Sequence, residues 1–279
     1  MAAKHLLRRR LLALALVLSA SIALAQDRPG ENSYQPEVGQ PGKDAIWVPT
    51  SQTLVDKMLD VARVTPNDFV IDLGSGDGRT VIAAAKRGAY ARGIEYNPDM
   101  VELSKRNAAK EGVGERTSFI KADIYESDFS EATVITMFLL DEINLKLRPK
   151  LLDLRPGTRI VSNTFTMGAW TADEIVTADH DCEHYCVAHF WIVPAKVDGR
   201  WRLPRGELNL KQSFQMLTGT LKSESGEVEI REGRLEGSRI HFYAGDAEYV
   251  GRVSGSKIDG LFRSPGGNGN WTATAAERP

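Results

Sequence analysis

Residues 68–95 read DFVIDLGSGDGRTVIAAAKRGAYARGIE, and the order of residue types in that stretch decides the fold. Phe69, Val70, Ile71 and Leu73 form a short apolar run closed by Gly74, the pattern of a strand buried on both faces. In Gly74-Ser75-Gly76-Asp77-Gly78 the glycines admit backbone angles closed to other residues and let a ligand approach the main chain. Thr80 to Arg87 then open a helix whose free N–H groups face that ligand. Ala91 to Ile94 make a second strand, ended by Glu95. A strand, a glycine turn, a helix and an acid-ended strand together predict a site for a polar small molecule.

Spacing narrows the ligand. The dinucleotide fingerprint requires a third glycine where this chain has Arg79, so the fit to NAD is poor. The shorter G-x-G-x-G, preceded by Asp72, resembles the first motif of the class I S-adenosylmethionine-dependent methyltransferases. That resemblance implies that Asp72, Gly74, Ser75, Gly76, Asp77 and Gly78 hold the methionine end of S-adenosyl-L-methionine. Glu95, nineteen residues after Gly76, can accept from both ribose hydroxyls. By the same resemblance Asp123 faces the adenine amino group and Ile124 flanks the ring. A glycine-rich turn without a ligand is the alternative for the loop, and a turn or helix-cap role the alternative for Asp123.

A chain of 279 residues with 42% hydrophobic content predicts two domains and a tail. The net charge of −2 and the lack of a basic cluster after Arg10 argue against a nucleic-acid surface. Residues 1–25 read as a secretory signal peptide: Lys4, His5, Arg8, Arg9 and Arg10 precede the apolar Leu11 to Leu18, and Ala23-Leu24-Ala25 is a small-x-small cleavage site. Leu11 to Ala25 is shorter than the ~20 apolar residues of a membrane span, so no stable span is expected after cleavage. Arg9-Arg10 resembles a twin-arginine signal. The expected location is exported and periplasmic, in tension with the cytoplasmic supply of S-adenosylmethionine.

Residues 26–44, rich in proline and glycine, read as a flexible linker. Order is expected from Trp47, with a helix over 52–63 capped by Thr50 or Ser51. Further helices are expected over 100–111 and 145–154, and strands over 117–121, 134–139 and 159–163. Residues 184–194 and 200–203 are expected to supply the last antiparallel pair of the sheet through an Asp198-Gly199 turn. The fold class is therefore α/β, a Rossmann-like seven-stranded sheet over 45–204. From 205 to 279, short alternating runs and the repeat of GRLEGSRIHF in GRVSGSKIDG predict a small antiparallel β-domain of roughly seven strands, a meander or small barrel. Its expected role includes binding an envelope partner.

Five segments carry a closer resemblance: VPTS at 48–51, DLGSGDGR at 72–79, GIEYNP at 93–98, KLRPKLLDLRPG at 146–157 and RIVSNTF at 159–165. Together they resemble the lysine methyltransferases that act on the mitochondrial ATP synthase c-subunit and the adenine nucleotide translocator, in an exported bacterial branch. The resemblance spans roughly 46–170 and implies N-methylation of a protein lysine. Asp141, Glu142 and Asn163 are the candidates for binding or deprotonating the amine. Trp47, Phe165 and Trp170 are candidates for an aromatic substrate channel with cation–π affinity. Helix initiation is the alternative for the two acids, and core packing for the aromatics. Two other functions stay open: small-molecule methylation, and a non-catalytic envelope-binding protein on the same scaffold.

Cys182 and Cys186 would lie ~13 Å apart along a continuous strand, so a bridge between them requires a turn. His180, Cys182, His184 and Cys186 alternate, but one such run cannot wrap four ligands round an ion. No metal is expected.

Overall fold

The computed structural model describes residues 34–276. The expected signal peptide, residues 1–25, and the first part of the expected linker lie outside these residues.

The described residues from Pro36 onward fall in one compact unit. It begins with a parallel sheet: β1 (Phe69–Leu73), β2 (Tyr90–Glu95), β3 (Thr117–Lys121), β4 (Val134–Met137) and β5 (Arg159–Asn163). β6 (Glu174–Thr177) and β7 (Val187–Ile192) complete seven strands in the order β3-β2-β1-β4-β5-β7-β6. β1 pairs with β2 on one side and β4 on the other, Asp72 lying opposite both Gly93 and Thr136. The strand order thus reverses beside β1, which opens a crevice at the carboxyl ends of β1 and β4. β7 is antiparallel to both neighbours, so its amino end meets that same edge.

The apolar strands divide the core in two. On one face α1 (Gln52–Val61), α2 (Arg79–Lys86) and α3 (Pro98–Lys110) bury Leu54, Val55, Val81, Ala84 and Val101 against Val70 and Ala91. On the other, α4 (Asp141–Leu152) buries Ile143, Leu147 and Leu151 with Ile71, Trp170 and Trp191. Ser51 caps α1 by accepting from Leu54 N at 3.2 Å. Asn97 caps α3 with Pro98 at its first position.

The second layer is an eight-stranded antiparallel barrel of β8 (Gly199–Leu203), β9 (Gly206–Ser213), β10 (Met216–Ser223), β11 (Gly226–Glu236), β12 (Arg239–Ala244), β13 (Ala247–Ser254), β14 (Lys257–Ser264) and β15 (Gly267–Ala275). Closure removes the free sheet edges. The repeat at 233–242 and 251–260 is a pair of like hairpins, each turning on a glycine with left-handed backbone, Gly237 and Gly255. Alternate residues, among them Leu235, Ile240, Phe242, Val253 and Ile258, fill the interior around Trp201 and Trp271.

Three expectations are corrected. Residues 200–203 pair with β9 and β15 in the barrel, and the antiparallel pair of the sheet is β6–β7. The described part of the expected linker is folded: Gly39 N donates to Trp47 O and Trp47 N to Gln40 O, so residues 39–47 double back as a hairpin. Trp170 lines no channel. It is 1% exposed, stacks on Phe214 at 6.0 Å between ring centroids and accepts a hydrogen bond from Trp191 Nε1 at its carbonyl.

Phe214 lies in the β9–β10 turn, so this stack joins the barrel to the sheet. Gln215 Nε2 adds a bond to Thr171 O at 2.7 Å, and Arg234 an ion pair with Asp173 at 2.5 Å. Trp170→Ala would leave a large cavity there. We expect a loss of about 3–5 kcal/mol in urea unfolding, with S-adenosylhomocysteine affinity unchanged in calorimetry.

Candidate functional site

The site starts from the turn after β1. Gly74 and Ser75 both donate their backbone N–H to Ile94 O, which ties the turn to β2. Gly74, Gly76 and Gly78 have φ of 75°, 53° and 83°, the left-handed region in which glycine carries no penalty. A Cβ on Gly76 would come within 2.6 Å of Trp47 Nε1. The glycine pattern is therefore a requirement of both the turn and the indole laid over it.

Glu95 ends β2 with both carboxylate oxygens engaged: Oε2 accepts from Gly76 N at 3.0 Å and Oε1 from Asn97 N at 2.9 Å. These bonds orient the carboxylate at the mouth of the turn. Ser104 Oγ donates to Gly76 O and Asn107 Nδ2 to Asp77 O, so α3 holds the loop from behind.

Arg79 stands where a dinucleotide site has its third glycine. Its guanidinium forks onto Asp77, with Nε–Oδ1 at 3.0 Å and Nη2–Oδ2 at 2.6 Å, and its Nη1 donates to Thr50 O at 2.6 Å. Thr50 is also held through its side chain, whose Oγ1 accepts from Asn163 Nδ2 at 3.0 Å. The VPTS segment is thus fastened at one residue to the glycine loop and to the end of β5.

The result is a cleft of about 520 Å³ along the carboxyl edge of the sheet. One part of its wall holds Asp72, Gly74, Ser75, Gly76, Asp77 and Glu95; Asp123 and Ile124 continue it; Phe138, Phe165 and Tyr185 line it beyond β4 and β5. The 39–47 hairpin covers part of it. Its Lys43 pairs with Asp123, which raises the lysine pKa and holds the Asp123 carboxyl below its ordinary value. The same ammonium lies 5.2 Å from the Tyr96 ring.

This wall fits the cofactor implied by the sequence. Ser75 Oγ is buried without a hydrogen-bond partner, and the wall carries four carboxylates, Asp72, Asp77, Glu95 and Asp123, suited to a molecule that carries positive charge on its sulfonium and amine. The cofactor-binding residues expected from the sequence all line the cleft except Gly78, which lies behind it as the amino-terminal cap of α2.

The expected catalytic residues do not converge. Asp141 begins α4 and accepts from Thr166 N and Oγ1 at 2.7 and 2.9 Å. Glu142 is exposed on the first turn of α4. Neither lines the cleft; Leu139, Leu140 and Ile143 do. Asn163 is fully buried, its amide divided between Thr50 and Thr164, so it positions the VPTS segment instead of meeting an acceptor. Of the expected channel, Trp47 and Phe165 line the cleft and Trp170 does not.

Lys43, Arg79, Tyr96, Phe138 and Tyr185 were absent from the predicted site. Arg79 was legible as the residue that breaks the dinucleotide pattern. Tyr185 had no local signal: it lines the cleft from the β6–β7 connection, where Cys182 and Cys186 form a disulfide across a turn, their Cα atoms 5.8 Å apart. Among the described residues no group of three or more His, Cys, Asp or Glu is arranged to hold a metal ion, and no helix is long and apolar enough to cross a membrane.

Asp72 is 6% exposed, and burial pushes its carboxyl up to about 7 against the hydrogen bond from Thr136 Oγ1 at 2.6 Å, with Glu95 and Asp77 adding to the rise. The native state keeps a proton that the unfolded chain gives up, so this group's contribution to stability falls as pH rises from 3.8 to about 7. The opposite sign applies to a cationic ligand, which gains once Asp72 ionises. We expect S-adenosylmethionine to bind about three- to tenfold tighter at pH 8 than at pH 6. Titration calorimetry should show that dependence vanish in Asp72→Asn.

Comparison with known proteins places this geometry. The family model described as the ANTKMT methyltransferase domain matches residues 72–174. A protein-lysine N-methyltransferase of Saccharolobus islandicus is 43% identical over 136 residues, covering 48% of this chain and 84% of that protein. The human lysine N-methyltransferase of the ATP synthase c-subunit is 34% identical over 130 residues, 46% of this chain and 55% of that protein. The chain therefore spans about half the length of that human relative. A solved structure described as an RNA methyltransferase from Salinibacter ruber in complex with S-adenosyl-L-homocysteine is 44% identical, covers 54% of this chain and 96% of that one, and superposes with a TM-score of 0.50. The barrel from Gly199 lies beyond the residues that the family model matches.

Proposed function

The chain belongs to the ANTKMT methyltransferase family, S-adenosylmethionine-dependent enzymes, and we propose that it N-methylates a lysine side chain of a protein. The observation that carries this reading is the two-part wall of one cleft, acids and glycines at one stretch and three aromatic rings at the other. The relatives named as protein-lysine methyltransferases support it.

The cofactor supplies a methyl group on a sulfonium, so the protein has little covalent chemistry to perform. What remains is alignment and the exclusion of water. Gly74 to Asp77 and Glu95 would hold the cofactor, with Asp123 and Ile124 at its adenine. Trp47 lies over Gly76 and keeps water from the loop. Phe138 and Phe165, with ring centroids 6.0 Å apart, offer a narrow apolar approach with affinity for an alkylammonium.

A second reading, an RNA acceptor, rests on the description of the Salinibacter structure. The net charge of −2 counts against it, because phosphate binding draws on clustered lysine and arginine. Export to an oxidising compartment is part of the proposal. The Cys182–Cys186 bridge supports it, and the barrel is then the part of the chain that would engage an envelope partner.

The test is transfer of radiolabelled methyl into cell-envelope and cytoplasmic extracts, followed by protease and ribonuclease. Label in envelope protein, recovered as methyllysine after hydrolysis, is the expected result. Ribonuclease-sensitive label would establish the RNA reading, solvent-extractable label a small-molecule acceptor, and protein label confined to the cytoplasmic extract would sink the export reading.

A further inference from the structure

The connection between β6 and β7, residues 178–186, crosses the ligand edge of the sheet. It does so because β7 runs antiparallel beside β5, with Ala188 opposite Asn163. Two residues of this turn have left-handed backbone without being glycine, Asp181 at φ 49° and Tyr185 at φ 57°. For a bulky aromatic side chain that conformation persists only where its surroundings impose it.

The surroundings are identifiable. The bond from Cys182 to Cys186 closes the turn at the residue next to Tyr185. Both cysteines pack against the apolar cluster that contains α1. Ala178 N donates to Cys186 O at 2.8 Å, and Thr164 N to Val187 O at 2.7 Å, which anchors both ends. The Tyr185 ring is directed at the cleft, 5.2 Å from Phe138 and 6.3 Å from Phe165. It remains 43% exposed. An aromatic side chain that is half in water yet held in an unfavourable backbone conformation is poorly explained by core packing.

We propose that Tyr185 is an acceptor-binding residue, the third side of an aromatic cage with Phe138 and Phe165 for an alkylammonium group, and that the Cys182–Cys186 disulfide positions it. The inference rests on the lysine reading above for the identity of the ammonium. The bond acts on the acceptor end of the cleft alone, since no residue of the turn other than Tyr185 lines it. Opening the bond would therefore weaken acceptor binding and leave cofactor binding intact.

The test uses the whole chain loaded with S-adenosylhomocysteine, with n-butyltrimethylammonium as the probe in titration calorimetry. Tyr185→Ala should weaken the probe about fivefold or more, and Tyr185→Phe should leave it unchanged. Cys182→Ser with Cys186→Ser should reproduce the alanine result although Tyr185 is present, and adding Tyr185→Ala to that pair should cost nothing further. Should the serine pair not fold, wild type opened by tris(2-carboxyethyl)phosphine gives the same measurement. The phosphine supplies two electrons to the sulfurs, and water supplies the two thiol protons and the oxygen of the phosphine oxide.

S-adenosylhomocysteine affinity should be the same in every variant. Failure of the probe to bind the disulfide-bonded protein would overturn the proposal, and so would binding indifferent to both variants or a parallel fall in cofactor affinity. Probe binding that follows this pattern while no peptide lysine is methylated would support the cage and reject the lysine reading.

Discussion

Arg79 ties the pieces of the cleft together. Three separate pieces of chain must meet at the carboxyl edge of the sheet: the glycine turn after β1, the VPTS segment before α1, and the end of β5. Among the described residues only Arg79 reaches two of them with charged hydrogen bonds, gripping Asp77 within the turn and the Thr50 carbonyl 29 residues back in sequence. A planar guanidinium can serve both at once because its five donors are fixed in a fork. Asn163 brings the third piece in by donating to the Thr50 side chain.

The consequences run outward from that residue. With Thr50 fixed, Trp47 lies over Gly76 at a distance that admits no side chain. The hairpin before Trp47 is carried over the cleft, where Lys43 meets Asp123, the acid expected at the adenine. The hairpin thus holds the carboxylate that a cofactor adenine would also meet. The barrel is attached at the far side of α4, through Phe214 on Trp170, and its described residues contribute nothing to the cleft wall.

What could be read from the sequence was what depends on backbone geometry within a few residues. Gly74, Gly76, Gly78 and Glu95 were legible because a tight turn between a buried strand and a helix leaves few residue choices. The strands at 117–121 and 159–163 were legible as short runs with β-branched and aromatic residues. The expected helix starts at 145, four residues late, because Leu140 precedes α4 without a side-chain cap; helix initiation, the alternative for Asp141 and Glu142, is what the structure shows. Asn163 ends β5 and Trp170 follows it closely, yet one faces Thr50 and the other Phe214, partners more than 40 residues away in sequence. The proline- and glycine-rich composition at 36–44 predicted flexibility, but it also suits a tight hairpin once Trp47 has a surface to cover. The strand at 200–203 had the right pattern for the sheet and was taken by the barrel, which needs an eighth strand to close. The bridge between Cys182 and Cys186 forms across the turn that it requires, but nothing in the run at 180–186 marked Tyr185 as the residue that this turn brings to the cleft.

The most direct measurement of the central claim is calorimetric titration of Arg79→Lys with S-adenosylhomocysteine. Lysine keeps the charge and removes the fork, so it cannot hold Asp77 and Thr50 together. The expected result is an affinity lower by about tenfold or more, or about 1.4 kcal/mol, in a protein that still melts cooperatively. Wild-type affinity in that variant would contradict the account, because the cleft would then not depend on the link between the glycine loop and the VPTS segment.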